Sequence, residues 1–121
     1  MYLKNVLLGL FCVISISIYS QSTASQQVAK FSMEAPQWQA ERTIWVYLPK
    51  NYENSEKAYA VIYMHDAQNL FDAQTSYVGE WKIDEYLDSI SNSESIIVGI
   101  EHGNEKRWEE LTPFPNETYG G

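Results

Sequence analysis

The sequence predicts an α/β domain, and three observations carry that expectation. A short apolar run at residues 59–64 ends abruptly in the polar segment His65-Asp66-Ala67-Gln68-Asn69. A second apolar run follows at residues 95–101. Between them, residues 81–91 place Ile83, Tyr86, Leu87 and Ile90 at the i, i+3, i+4, i+7 spacing of an amphipathic helix. Neither apolar run alternates strictly, which is the pattern of strands covered on both faces by helices. Strand, helix and strand in this order make a right-handed parallel crossover.

The preceding segment reads as a hairpin. Residues 28–33 form a first strand, and residues 34–39, with Pro36, form a turn. Residues 41–48 alternate, with Ile44, Val46 and Leu48 on one face and Thr43, Trp45 and Tyr47 on the other. Pro49 ends that strand, and residues 50–57 are a polar loop. Residues 66–79 read as a long loop with local turns. Residues 103–115 read as a charged loop with one helical turn. There is no internal repeat and no linker between domains.

A chain of 121 residues holds one small domain, and 45% hydrophobic residues suit a globular core. Acidic residues outnumber basic ones 16 to 8, for a formal charge of −8. That balance disfavours nucleic acid, whose phosphates need clustered Lys and Arg, and equally an anionic membrane surface. Four Trp and nine Tyr are numerous enough to line a sugar or aryl pocket, although ordinary core packing is their default use.

The N-terminus has the form of a signal peptide. Lys4 supplies the positive region, and residues 6–19 are almost continuously apolar, too short for a comfortable membrane span. Small residues allow a cut after Ser20 or as late as Ala24. Residues 1–20 are then a leader, and residues 21–27, rich in Ser and Gln, are a flexible mature N-terminus. The expected location is secreted or periplasmic. Cys12 lies within the leader, so the mature chain has neither a disulfide nor a thiol nucleophile.

Four motifs in order carry a family resemblance. They are Arg42-Thr-Ile-Trp-Val-Tyr-Leu-Pro49, then His65-Asp66-Ala67-Gln68-Asn69-Leu70-Phe71-Asp72, then Gly79-Glu80-Trp81-Lys82-Ile83-Asp84-Glu85, then Arg107-Trp108-Glu109-Glu110-Leu111-Thr112-Pro113. Together they resemble the Putative esterase family of the α/β-hydrolases, which includes esterase D, feruloyl and acetylxylan esterases, and enterobactin-type esterases. The resemblance spans residues 41–113. It implies that residues 28–121 are the N-terminal portion of an α/β-hydrolase, an incomplete esterase domain. One departure stands out. Ala67 occupies a position where the family usually has glycine, so its turn must be one that alanine tolerates.

The resemblance also implies a chemistry. A serine esterase needs a nucleophile, a base, an orienting acid and an oxyanion hole. The family takes one oxyanion N–H from the loop after the first buried strand. Residue matching gives that role to the backbone of Gln68, with Ala67 beside it. The G-x-S-x-G elbow is absent from this sequence. In this superfamily the acid and histidine follow the nucleophile, so neither His65 nor His102 is the triad histidine. Asn69, Phe71, His102 and Trp108 are candidates to line the substrate site. Arg107 and Glu110 are expected to form an internal ion pair that orders their loop. His65 and Asp66 are expected to hold the turn by side-chain hydrogen bonds, while Trp81 and Asp84 serve the start of the helix.

Other chemistries find little support. His65, Asp66, Asp72, Glu101 and His102 are ligand types near strand ends, but their spacing matches no metal motif, so no metal or cofactor is expected. Asn116-Glu117-Thr118 is a glycosylation sequon. The expected function is therefore the N-terminal fragment of a secreted serine esterase. It would act on a small ester, carbohydrate-linked or siderophore-type, and supply one oxyanion element but not the triad. The alternative is a non-catalytic truncated α/β domain that binds carbohydrate or protein.

Overall fold

The computed structural model describes residues 21–90 and 94–118, so the leader expected at residues 1–20 lies outside the described residues. Four strands form one mixed sheet: β1 (Val28–Ala35), β2 (Ala40–Tyr47), β3 (Ala60–His65) and β4 (Ser95–Ile100). Their spatial order is β1-β2-β4-β3. Helix α1 (Ile83–Ser89) lies between β3 and β4 in the chain, and the short helix α2 (Arg107–Leu111) follows β4.

The hairpin forms as the alternation predicts, with β1 and β2 antiparallel from Val28↔Tyr47 to Ala35↔Ala40. Pro36 starts the connecting turn, and Gln39 closes it in the left-handed region at φ 50. The two apolar runs pair in parallel, from Ala60↔Ser95 to His65↔Ile100. The hairpin joins them through β4, where Trp45 opposes Gly99. This order leaves β3 on the outer edge. Residues 59–64 are therefore not covered on both faces as expected: Tyr63 is 71% exposed, and Val61 and Ile62 are about half exposed.

The core sits on one face of the two inner strands. Trp45, Tyr47 and Ile97 face outward from the sheet onto Ala67, Leu70 and Phe71, all of them buried. Leu70 and Phe71 have no exposed surface, and burying each contributes about 1.5–3 kcal/mol. Ile83 and Leu87 of α1 pack against the edge of this cluster, as the helical periodicity predicts. Tyr86, on the same predicted stripe, is instead 66% exposed.

Helix α1 is shorter than the periodic segment because its first turn is used elsewhere. Trp81 N–H donates to Asn69 O at 2.8 Å, and Ile83 N–H to Leu70 O at 3.1 Å. These bonds lay residues 81–83 alongside the turn after β3. Lys82 adopts φ 56 as a result, so the helix begins only at Ile83.

One small residue seats the covering segment on the sheet. A Cβ at Gly99 would lie 2.8 Å from Ala67 Cβ, 3.1 Å from Leu70 Cδ1 and 3.4 Å from Phe71 Cε2. Only hydrogen at this position lets the 67–71 segment descend onto β4. Gly99→Ala is expected to destabilise the domain by about 1–3 kcal/mol in urea unfolding, and Ala67→Gly in the same chain to restore part of the loss. An unchanged midpoint for Gly99→Ala would contradict this packing.

Candidate functional site

The site begins where β3 ends. Asp66 takes φ 58, ψ 43, the left-handed conformation that Asp tolerates better than most residues. The chain then makes a single 3-10 turn at Ala67–Asn69. Asn69 N–H donates to Asp66 O at 2.9 Å, and Leu70 N–H to Ala67 O at 3.1 Å. Gln68 N–H precedes the first of these bonds and is not used by them. The departure at Ala67 is resolved by the same geometry. The positive φ falls on Asp66, and Ala67 lies in the turn proper, with its methyl group buried over Gly99.

An ion pair fixes the start of this turn. Arg107 Nε donates to Asp66 Oδ1 at 2.9 Å, and Arg107 Nη2 to Asp66 Oδ2 at 2.7 Å. The two bonds make a bidentate fork on the carboxylate. The guanidinium beside Asp66 holds its carboxyl below the usual range, against the opposing effect of burial. The expected hydrogen-bonding role of Asp66 is thus present, with a partner the sequence had not indicated.

The expected pairing of Arg107 with Glu110 is not what forms. Glu110 instead accepts from Arg42 Nη2, and its second oxygen accepts Gly103 N–H at 2.8 Å. Arg42 is 8% exposed on central strand β2, and such a charge needs a carboxylate at hand. Helix α2 therefore sends Arg107 to the end of β3 and Glu110 to β2. Arg42 also lies over the Trp38 ring, 5.1 Å from its centroid. The sequence signal for this pair was a charge in step with Ile44 on the β2 alternation.

The turn opens onto a cleft of about 750 Å³. Gln68, Asn69, His102 and Arg107 line it, as do Thr75, Tyr77 and Trp81 from the following loop. The turn itself holds that loop. Thr75 Oγ1 donates to Gln68 O at 2.8 Å, and Tyr77 N–H to Asn69 Oδ1 at 3.0 Å. Asn69 thus lines the cleft while its side chain fastens the far wall. His102 Nδ1 accepts Asn104 N–H at 2.9 Å, which puts the proton of the neutral ring on Nε2. Lys30 and Glu101, 3.5 Å apart, stand at the rim.

Two of the expected lining residues sit elsewhere. Phe71 is fully buried and stacks on Trp45, with centroids 6.1 Å apart, so it supports the floor from beneath. Trp108 is 56% exposed beside the Arg107 guanidinium, outside the set that lines the cleft. Trp81 was expected to pack at the helix start, but it is 58% exposed and forms part of the wall. Tyr77 gave no sequence signal beyond its type.

Acidic groups gather behind this loop. Asp72 is buried. Burial pushes its carboxyl up, but hydrogen bonds from Ser22, Gln74 and Thr23 outweigh that and hold it below the usual value. Asp84 in the first turn of α1 is fully buried and accepts Ser25 N–H at 2.7 Å, while its Oδ1 has no hydrogen-bond partner among the described residues. Carboxylate oxygens of Glu80, Asp84 and Glu85 lie within 4.8 Å of one another. Burial first, and the adjoining Glu85 with it, raise Asp84 to about 6 in spite of the Ser25 bond.

The family model described as Putative esterase matches residues 35–120, more than half of the chain. The chain belongs to the Putative esterase family. The match takes in the hairpin turn, β2, the 66–69 turn, every cleft-lining residue but Lys30, and α2, so the ion-paired turn belongs to the esterase domain. No curated protein and no solved structure matches the chain.

The raised Asp84 makes the stability of this esterase domain depend on pH. Its folded-state value lies above the ordinary 3.8. The folded state then binds a proton more tightly than the unfolded chain from about pH 4 to pH 6, so this group's contribution falls as pH rises through that window. Asp84→Asn should gain stability relative to wild type over the same interval, by about 3 kcal/mol at most. Urea unfolding at pH 4 and pH 7 reads the difference, and a gap independent of pH would contradict it.

Proposed function

We propose that this chain is the N-terminal part of a secreted serine esterase. The enzyme hydrolyses carboxylic esters through an acyl-serine intermediate, and the 66–69 turn supplies one oxyanion donor, Gln68 N–H. The observation that carries this reading is the turn itself. It stands at the end of a parallel strand, is pinned by Arg107, and opens onto the cleft with Gln68 N–H outside its own hydrogen bonds. Ligands of α/β enzymes approach at such strand ends.

The chemistry follows from position. A carbonyl seated against Gln68 N–H becomes an oxyanion when the nucleophile attacks, and a fixed N–H dipole stabilises that charge without reorganising. A second donor and the triad come from outside residues 1–121. The pinning of Asp66 by Arg107 keeps the donor in place before substrate arrives. Tyr77 and Trp81 offer an aromatic wall that suits an aryl or sugar group on the ester.

The outer edge of β3 supports a sheet that continues. Its half-exposed Val61 and Ile62 fit poorly with a self-contained binding module, because an open apolar edge invites aggregation. The coding frame beyond Gly121 should therefore continue into G-x-S-x-G, then an acid and a histidine. In the product of that frame, Gln68→Pro removes the N–H and should lower kcat on an activated ester by about 10²–10³-fold, while Gln68→Ala leaves it within a few-fold. The 121-residue chain alone should resist labelling by a fluorophosphonate. Stoichiometric labelling of it, or equal activity of the two Gln68 variants, would contradict the proposal.

A further inference from the structure

The sequence leaves two places for leader removal, after Ser20 and after Ala24, and the fold distinguishes them. We infer that cleavage falls upstream of Ser22, at the Ser20–Gln21 bond, because residues 22–25 are a strap built into the esterase domain. The inference rests on the secreted reading of the chain.

Each residue of the strap has a partner far along the sequence. Ser22 Oγ donates to Asp72 Oδ2 at 2.5 Å, and Thr23 N–H to Asp72 Oδ1 at 3.3 Å. Thr23 Oγ1 donates to Glu80 Oε1 at 2.8 Å and accepts Ala73 N–H at 2.8 Å. Ala24 packs against the core cluster. Ser25 N–H reaches Asp84 Oδ2 at 2.7 Å, and its hydroxyl reaches Asp88 Oδ2 at 2.6 Å. The strap thus ties the 72–80 loop, which carries Thr75 and Tyr77 into the cleft, to helix α1.

The two cuts leave different chemistry. Hydrolysis of the Ser20–Gln21 bond by a leader peptidase consumes one water. It leaves a carboxylate on Ser20 and a new α-amino group on Gln21, beyond every contact of the strap. Hydrolysis after Ala24 would place the new α-ammonium of Ser25 beside Asp84, which is favourable. It would also strip the Ser22 and Thr23 donors from Asp72, leaving it the N–H of Gln74 and solvent, and would free the 72–80 loop from helix α1. Ala24 would leave the core as well. The balance favours the earlier cut.

The test uses the full chain with its own leader, expressed in a secreting host and read by intact mass and N-terminal sequencing. A mature end at Gln21, or its cyclised form, is expected. A mature end at Ser25 overturns the inference. An unprocessed chain also overturns it, and locates the failure in the secreted reading. Two directly expressed products of the whole coding frame, beginning at Gln21 and at Ser25, then judge the strap by itself. The shorter one should show a Tm lower by several degrees and faster tryptic cleavage after Lys82. Equal Tm and equal cleavage would overturn the strap.

Discussion

The close approach of the 67–71 segment to Gly99 is the constraint on which the remaining structure depends. With hydrogen at that position, Ala67, Leu70 and Phe71 reach the inner strands and close the core over Trp45, Tyr47 and Ile97. The carbonyls of Asn69 and Leu70 are then in place to accept Trp81 and Ile83 N–H, which sets where helix α1 begins. The Gln68 carbonyl and the Asn69 side chain hold the loop that makes the cleft wall. Packing, helix start and cleft are thus consequences of one seat rather than separate features.

Charge pairs across elements finish what packing starts. Helix α2 has five residues, too few to be stable by propensity alone. It is held by Arg107 on Asp66 and by Glu110 on Arg42. The first pair fixes the left-handed residue that aims the turn, and the second neutralises a charge on a central strand. An oxyanion donor has catalytic value only if it is preorganised. In the proposed reading, the turn is held for that purpose by a bidentate pair at one end and an apolar seat under the other.

The sequence disclosed much of this and concealed the rest for identifiable reasons. Alternation along β2 and the periodicity of α1 report which residues need burial, so the hairpin, the crossover and the core side of the helix were legible. The order of strands was not, because local pattern does not say that β4 rather than β3 meets the hairpin. Exposure of Tyr63 follows from that order. The pairing of Arg107 with Glu110 was expected because both lie on one short segment, while their partners, Asp66 just past β3 and Arg42 on β2, are over forty residues away. Phe71 looked like a candidate to line the pocket, since residue type alone does not separate the floor of a cleft from its surface. The strap at residues 22–25 was hidden by a Ser-rich composition that usually marks a free end.

The proposed chemistry needs a preformed turn, with Gln68 N–H free of any acceptor among the described residues while its neighbours are locked. Amide hydrogen exchange, followed residue by residue in the chain, tests this most directly. Asn69 and Leu70 should exchange slowly, because they donate to Asp66 and Ala67, and Gln68 should exchange near the unprotected rate. Fast exchange at all three positions would mean that the turn is not preformed. Strong protection at Gln68 would mean that its N–H already has an acceptor and is not free to receive an oxyanion.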